Sequence, residues 1–263
     1  MNRTASSTLM TEGSIWKKIV TFAFPLFLGN LFQQLYNMVD TAVVGKFVGE
    51  DAVAAVGSSF PIVFLSVAVA AGLSMGCNVV VSQLFGAGRI HEMKSTISTA
   101  IISLGVLGLR IMGLGTLLAG PLLQLLGTDP DIMADSRTYL QIYFGGAVFL
   151  FLYNTLNGIY NAQGDSKTPL IFLMISSLTN IVLDLLFVIR FGWGIPGAAA
   201  ATLLAQLFAF AYCVNALRKI PAASVEKPDW QPDSSVIRRL CHLGLPLALQ
   251  HFVIVISGII MQA

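Results

Sequence analysis

The sequence predicts an all-α polytopic membrane protein: a six-helix lobe followed by the start of a seventh transmembrane helix. Three observations carry this. The chain is 56% hydrophobic and 11% charged, against about 25% charged in an ordinary soluble domain. Its apolar residues lie in long uninterrupted runs rather than in the alternation of a core and a surface. Those runs are rich in Leu, Ala and Gly, as spanning helices of roughly 20 apolar residues require. A transmembrane barrel would instead show alternating segments of about ten.

Seven segments qualify, at 17–45, 52–85, 96–119, 132–161, 169–190, 196–217 and 237–263. The first is too long for a signal peptide and leads directly into the others. Lengths beyond 20 residues imply tilt or extension past the hydrocarbon. Turn chemistry separates them: Gly86-Ala87-Gly88-Arg89 after the second, Gly127-Thr128-Asp129-Pro130 before the fourth, and Gly164 to Pro169 between the fourth and fifth. Gly192-Trp193-Gly194-Ile195-Pro196 joins the fifth and sixth. A polar stretch with Pro228 and Pro232 reads as a linker, dividing the chain into a lobe (1–220), a linker (221–235) and the start of a second lobe (236–263).

Basic residues fix the expected orientation. One set of ends holds Arg3, Lys17, Lys18, Arg89, Lys94, Lys167, Arg218, Lys219, Lys227, Arg238 and Arg239; the other holds Lys46, Arg137 and Arg190. The richer side is expected to be cytoplasmic, which places the N-terminus and the linker there in a cell (inner) membrane. Arg110 stays inside the third segment with no assigned role. The net charge of +2 has no basic domain behind it, so no nucleic-acid partner is expected. Cys77, Cys213 and Cys241 have no metal-like spacing and read as small core hydrophobes.

The chain contains a weak internal repeat. Ile15 to Ile19 aligns with Val236 to Leu240, and Phe24-Pro25-Leu26 with Leu245-Pro246-Leu247, at a constant offset of 221 residues. An offset that holds six spans gives a parallel repeat, two lobes related by an axis along the membrane normal. The expectation is that this chain is the first half of a 12-helix, two-lobe protein of roughly 440 residues, cut inside its seventh helix. The missing second lobe is then an expected partner, besides the lipid bilayer.

Two acids, Asp40 and Asp184, sit inside apolar spans, where a carboxylate costs about 2.5–3.5 kcal/mol. Each lies six residues before a basic residue at the far end of an outward-running span, Lys46 and Arg190 respectively. Equal spacing puts them at equal depth, in the outer half of the membrane. Counting inward from the same side brings Tyr139 and Thr202 to that level. Asn180 shares a helix face with Asp184, and Tyr36 with Asp40. Carboxylate, amide and hydroxyl oxygens make a site that suits a hard cation such as sodium, while adjacent carboxylates in a low dielectric can carry protons instead. Asn154, Asn157 and Asn161 form a further polar stripe nearer the cytoplasm. Pro25 removes a backbone hydrogen bond below Asp40 and is a candidate helix bend. Gly72 and Gly76 read as a small-xxx-small packing pair.

No zinc motif or phosphate-cradling loop appears, and Ala162-Gln163-Gly164-Asp165 lacks the first glycine of an intramembrane aspartyl protease pattern. An enzyme is not expected. Phe32-Gln33-Gln34-Leu35-Tyr36-Asn37-Met38-Val39-Asp40 resembles the first helix of prokaryotic multidrug and toxic compound extrusion (MATE) transporters. Ser82 to Gly88, Asn157 to Pro169 and Gly194 to Thr202 resemble later parts of the same family. The resemblance implies cation-coupled (sodium or proton) antiport of organic, often cationic, drug-like compounds, with no cofactor beyond a bound Na+ or H+. It implies that Asp40, Asn180, Asp184 and Thr202 form a cation site, with Tyr36, Tyr139 and Asn157 in a supporting network. A lipid-linked precursor flippase of the same superfamily is the alternative. Such a protein would carry a more basic central cavity.

Overall fold

Apolar runs bounded by glycine turns satisfy every backbone group internally only as helices, the requirement that a bilayer imposes. A computed structural model of the chain describes residues 14–217, 230 and 232–262. Its helices are α1 (Ile15–Phe47), α2 (Glu50–Gly86), α3 (Ile90–Leu125), α4 (Met133–Gly145), α5 (Ala147–Ala162), α6 (Lys167–Asp184), α7 (Gly194–Leu217) and α8 (Ser234–Gln262). A one-turn π-helix, Leu185–Arg190, continues α6. Most of the 221–235 linker, and Arg3, Arg218, Lys219 and Lys227, lie outside the described residues.

The turns behave as their chemistry requires. Gly164 takes a φ of 80°, which a side-chain-bearing residue rarely adopts, and so lets α6 turn back along α5. Asp165 then caps α6: its Oδ1 accepts from the backbone N–H of Lys167 at 3.1 Å and of Thr168 at 3.0 Å. Glu50 and Asp51 open α2, where negative charge suits the helix dipole. Asp233 precedes α8, and its carboxyl is held below the usual carboxylate range by hydrogen bonds from Ser235.

The molecule is apolar outside, as expected for a protein solvated by lipid, and its interior combines apolar clusters with a small set of buried polar side chains. Leu125 is 83% exposed and Leu117 76%, whereas Asp184 is 1% exposed and Asn180 2%. Five helices are long and apolar enough to cross a bilayer, and a sixth if α4 and α5 are one bent span. The sequence reads 132–161 as a single span. The structure divides it at Gly145-Gly146 with a 48° bend. Glycine weakens a helix, and here it permits close approach: a methyl on Gly146 would come within 3.2 Å of Leu203 in α7.

Glycines also set the helix contacts, as small residues do in membranes. A methyl on Gly158 of α5 would meet the Ser74 carbonyl of α2 at 2.8 Å. Gly72 and Gly76 of α2 face Ala248 and Gly244 of α8, and a methyl on Gly72 would collide with the Ala248 backbone. Cys77 and Cys213 are buried, but Cys241 is exposed on α8, against the expectation that all three are core residues. Arg110 is exposed on α3, beside Leu109.

Two apolar clusters pack toward opposite ends of the lobe. One, around Met93, Ile97, Leu156 and Tyr160, lies toward the end that carries Arg89 and the α5–α6 turn, called here the basic end. The other, around Val43, Val44, Ala55, Val188, Ile195 and Ala198, lies at the opposite end. Between them the polar residues gather.

Candidate functional site

Four helices converge at the depth the sequence assigns to the two acids. α1 brings Tyr36 and Asp40, one turn apart on one face. α6 brings Asn180 and Asp184 on its inner face, both buried. α7 brings Thr202, and α4 brings Tyr139 and, one turn on, Tyr143, whose ring stacks on that of Tyr139 at 6.5 Å. Asp184 is the last residue of α6 before the π-helix. A π turn widens the backbone and recurs at functional sites.

The carboxyl groups of Asp40 and Asp184 lie close enough to interact with each other. Two carboxyls bond to one another only if they share a proton; fully ionised, they repel unless a cation lies between them. One oxygen of each, Oδ1, is buried without a protein partner. The Asn180 amide has its best partners when its nitrogen faces the acid. Nδ2 then donates to Asp184 Oδ2 at 3.0 Å, and Oδ1 accepts from the Thr202 N–H at 3.3 Å. The Thr202 hydroxyl donates to the Ala198 carbonyl at 3.2 Å, which leaves its oxygen lone pairs free. The hydroxyls of Tyr36 and Tyr139 lie close enough to both acids to feel their charge.

The structure brings Asp40, Asn180, Asp184, Thr202, Tyr36 and Tyr139 together. Asn157 does not touch the acids. Its Oδ1 is buried and unpaired. Pro25 lies within a continuous α1 and lines the basic end of the cavity described next. Tyr143 and Ser177 escaped the sequence reading, although each sits on the functional face of its helix, four residues after Tyr139 and three before Asn180.

A cavity of about 910 Å³ opens beside the site. Asp40, Asn180 and Thr202 form its wall at one level, and Asn157, Asn161 and Ser166 toward the basic end. Phe60, Phe64 and Leu150 supply apolar surface. No Lys or Arg lines it among the described residues. Among those residues no group of three or more His, Cys, Asp or Glu side chains is placed to hold a metal ion.

Comparison with known proteins gives one answer. The MatE family model matches residues 25–186. A probable multidrug resistance protein, YpnP of Bacillus subtilis (strain 168), is 34% identical over 93% of this chain and 55% of its own length. A crystal structure described as MATE in the straight conformation superposes with a TM-score of 0.86 at 26% identity, over 92% of this chain and 54% of that one. One described as MATE in the bent conformation gives 0.85 at 27%, over 94% and 55%. The chain thus spans about half the length of the relatives it matches.

Proposed function

Given that the chain belongs to the MatE family, we propose that it forms the cation-coupled lobe of a membrane exporter of organic, often cationic, compounds. The observation that carries this is the pair Asp40–Asp184, on two different helices, with an unpaired buried oxygen on each. Asp40, Asp184, Thr202 Oγ1 and the Asn180 amide, its oxygen rotated toward the acids, would hold a sodium ion. Alternatively, a proton between the two carboxyls does the same work. Either cation neutralises the pair and ties α1 to α6. Without it, two ionised carboxylates push these helices apart, so occupancy is coupled to the position of α1. Pro25, lower on α1, gives that helix a place to bend.

The cavity suits the cargo. At about 910 Å³ it falls in the range of drug-sized sites. Its aromatic and amide lining, with Asp40 as the acid on its wall, favours an organic cation. Export follows if cation and cargo compete for the charge on Asp40, so that only one is held at a time. The lipid-flippase reading draws no support, because the cavity wall carries no basic residue and Arg110 lies outside it. The internal repeat and the length of the relatives support a second lobe closing the cargo path. The balance of basic residues supports a cytoplasmic N-terminus and a cell-membrane location.

The test is dye efflux from cells, driven by an imposed sodium or proton gradient. Asp40→Asn and Asp184→Asn in the full-length protein should each lower the rate by about tenfold or more, since either removes a charge that the cycle must neutralise. Unchanged efflux in both variants overturns the assignment.

A further inference from the structure

The cavity is asymmetric about the acid pair. Beyond Asp40, Val43 and Val44 enter a buried apolar cluster with Ala55, Val188, Ile195 and Ala198, which packs toward that end of the lobe. Toward the basic end polar side chains recur on the wall, among Pro169, Leu170 and Leu173, as far as Ser166, the residue before α6. Three buried oxygens on this wall have no protein partner: Ser177 Oγ, Asn157 Oδ1 and Asn161 Oδ1. Ser177 itself is only 7% exposed. A buried polar atom without a partner is costly unless water or an ion completes its bonds, and a polar cavity of this size admits both.

The residues that carry these atoms are regularly spaced in depth. α5 ends and α6 begins at the same turn, so depths can be counted from it at about 1.5 Å per residue. Asn161 then lies about 2 Å above the turn, Asn157 about 8 Å, Ser177 about 15 Å, Asn180 about 20 Å and Asp184 about 26 Å. Each gap is one that one or two hydrogen-bonded waters bridge, at about 2.8 Å per bond. Ser177, Asn180 and Asp184 share one face of α6, and Asn157 and Asn161 share one face of α5.

We propose that the polar wall formed by Ser177, Asn157 and Asn161 is a hydrated route along which the coupling cation passes between the acid pair and the cytoplasmic end of this lobe. The proposal rests on the reading of Asp40 and Asp184 as the cation site, and on the basic end being cytoplasmic. The wall guides rather than binds. Its oxygens replace part of the ion's hydration, or hold the waters of a proton chain, without a fixed charge that would trap the passenger. The apolar cluster beyond Val43 makes this the polar exit available within the lobe in the conformation described.

The experiment measures exchange rate and equilibrium binding separately, in protein reconstituted in lipid nanodiscs. Sodium-22 release and proton uptake after a pH jump are the two probes, and the one that slows identifies the passenger. Ser177→Val and Asn161→Leu should slow exchange about tenfold while leaving equilibrium affinity unchanged, because a barrier rises and the site does not move. Ser177→Thr and Asn161→Gln, which restore a polar atom, should exchange at the wild-type rate and guard against misfolding. Wild-type rates in the apolar variants, or a fall in affinity matching the fall in rate, overturn the route. If Asp40→Asn abolishes binding while Ser177→Val and Asn161→Leu exchange normally, the route alone is lost. If Asp40→Asn binds both ions normally, the acid-pair reading falls and the route with it.

Discussion

At Asn180 one amide links two helices. Its nitrogen serves the Asp184 carboxyl and its oxygen the backbone of Thr202, while Asp184 reaches Asp40 across to α1. A hydrogen bond to a charged group contributes about 1.5–3 kcal/mol, and a buried acceptor left unpaired costs a similar amount. Asn180→Leu, close in volume, is therefore expected to destabilise the protein by about 1.5–3 kcal/mol. It should also abolish any stabilisation by added sodium, and thermal unfolding with and without the ion reads both. The importance of Asn180 was legible from its spacing to Asp184. Ser177, one turn earlier, was not: a serine in a membrane helix usually bonds to its own backbone, and nothing in the sequence shows that this one does not.

Between elements, the closest contact joins α2 to α8. Gly72 and Gly76 on one helix meet Ala248 and Gly244 on the other, so that backbone packs on backbone. The sequence shows the pair Gly72 and Gly76 but not its partner, because which faces meet is settled by the bundle as a whole. Gly72→Leu should separate the helices at a cost of about 1–3 kcal/mol, the usual range for overpacking. The check is a lowered melting temperature. Gly57→Leu, at a glycine with open space around it, should leave it near wild type. The bend at Gly145-Gly146 was likewise legible only as two adjacent glycines. That they break the helix follows from the demand of Leu203 for space. The π turn after Asp184 had no sequence signal at all, since Leu-Leu-Phe-Val-Ile suits an α-helix equally well.

For the whole molecule, the apolar exterior fits a lobe held in lipid, and the charge balance supports the proposed direction. In an otherwise cysteine-free protein, His91→Cys and Asp131→Cys place a thiol at opposite ends of the bundle, both at exposed positions. A membrane-impermeant maleimide added to intact cells should label Asp131→Cys and spare His91→Cys. The reverse pattern would invert the orientation, and with it the direction of the proposed cation route.

The sequence by itself determined what depends on distance along the chain. Apolar length marked out the spanning segments, glycine turns marked their ends, and constant helical rise brought Asp40, Asp184, Tyr139 and Thr202 to one depth. The tertiary structure decided what depends on distance across the bundle. It made Asp40 and Asp184 neighbours rather than merely level, and it separated Asn157 from them. It also packed Val43, Val44 and Ile195 on one side of the pair and placed polar side chains on the other. Depth follows from local geometry, which every helix shares. Lateral neighbours follow from the packing of all the helices at once, which no single stretch of sequence encodes.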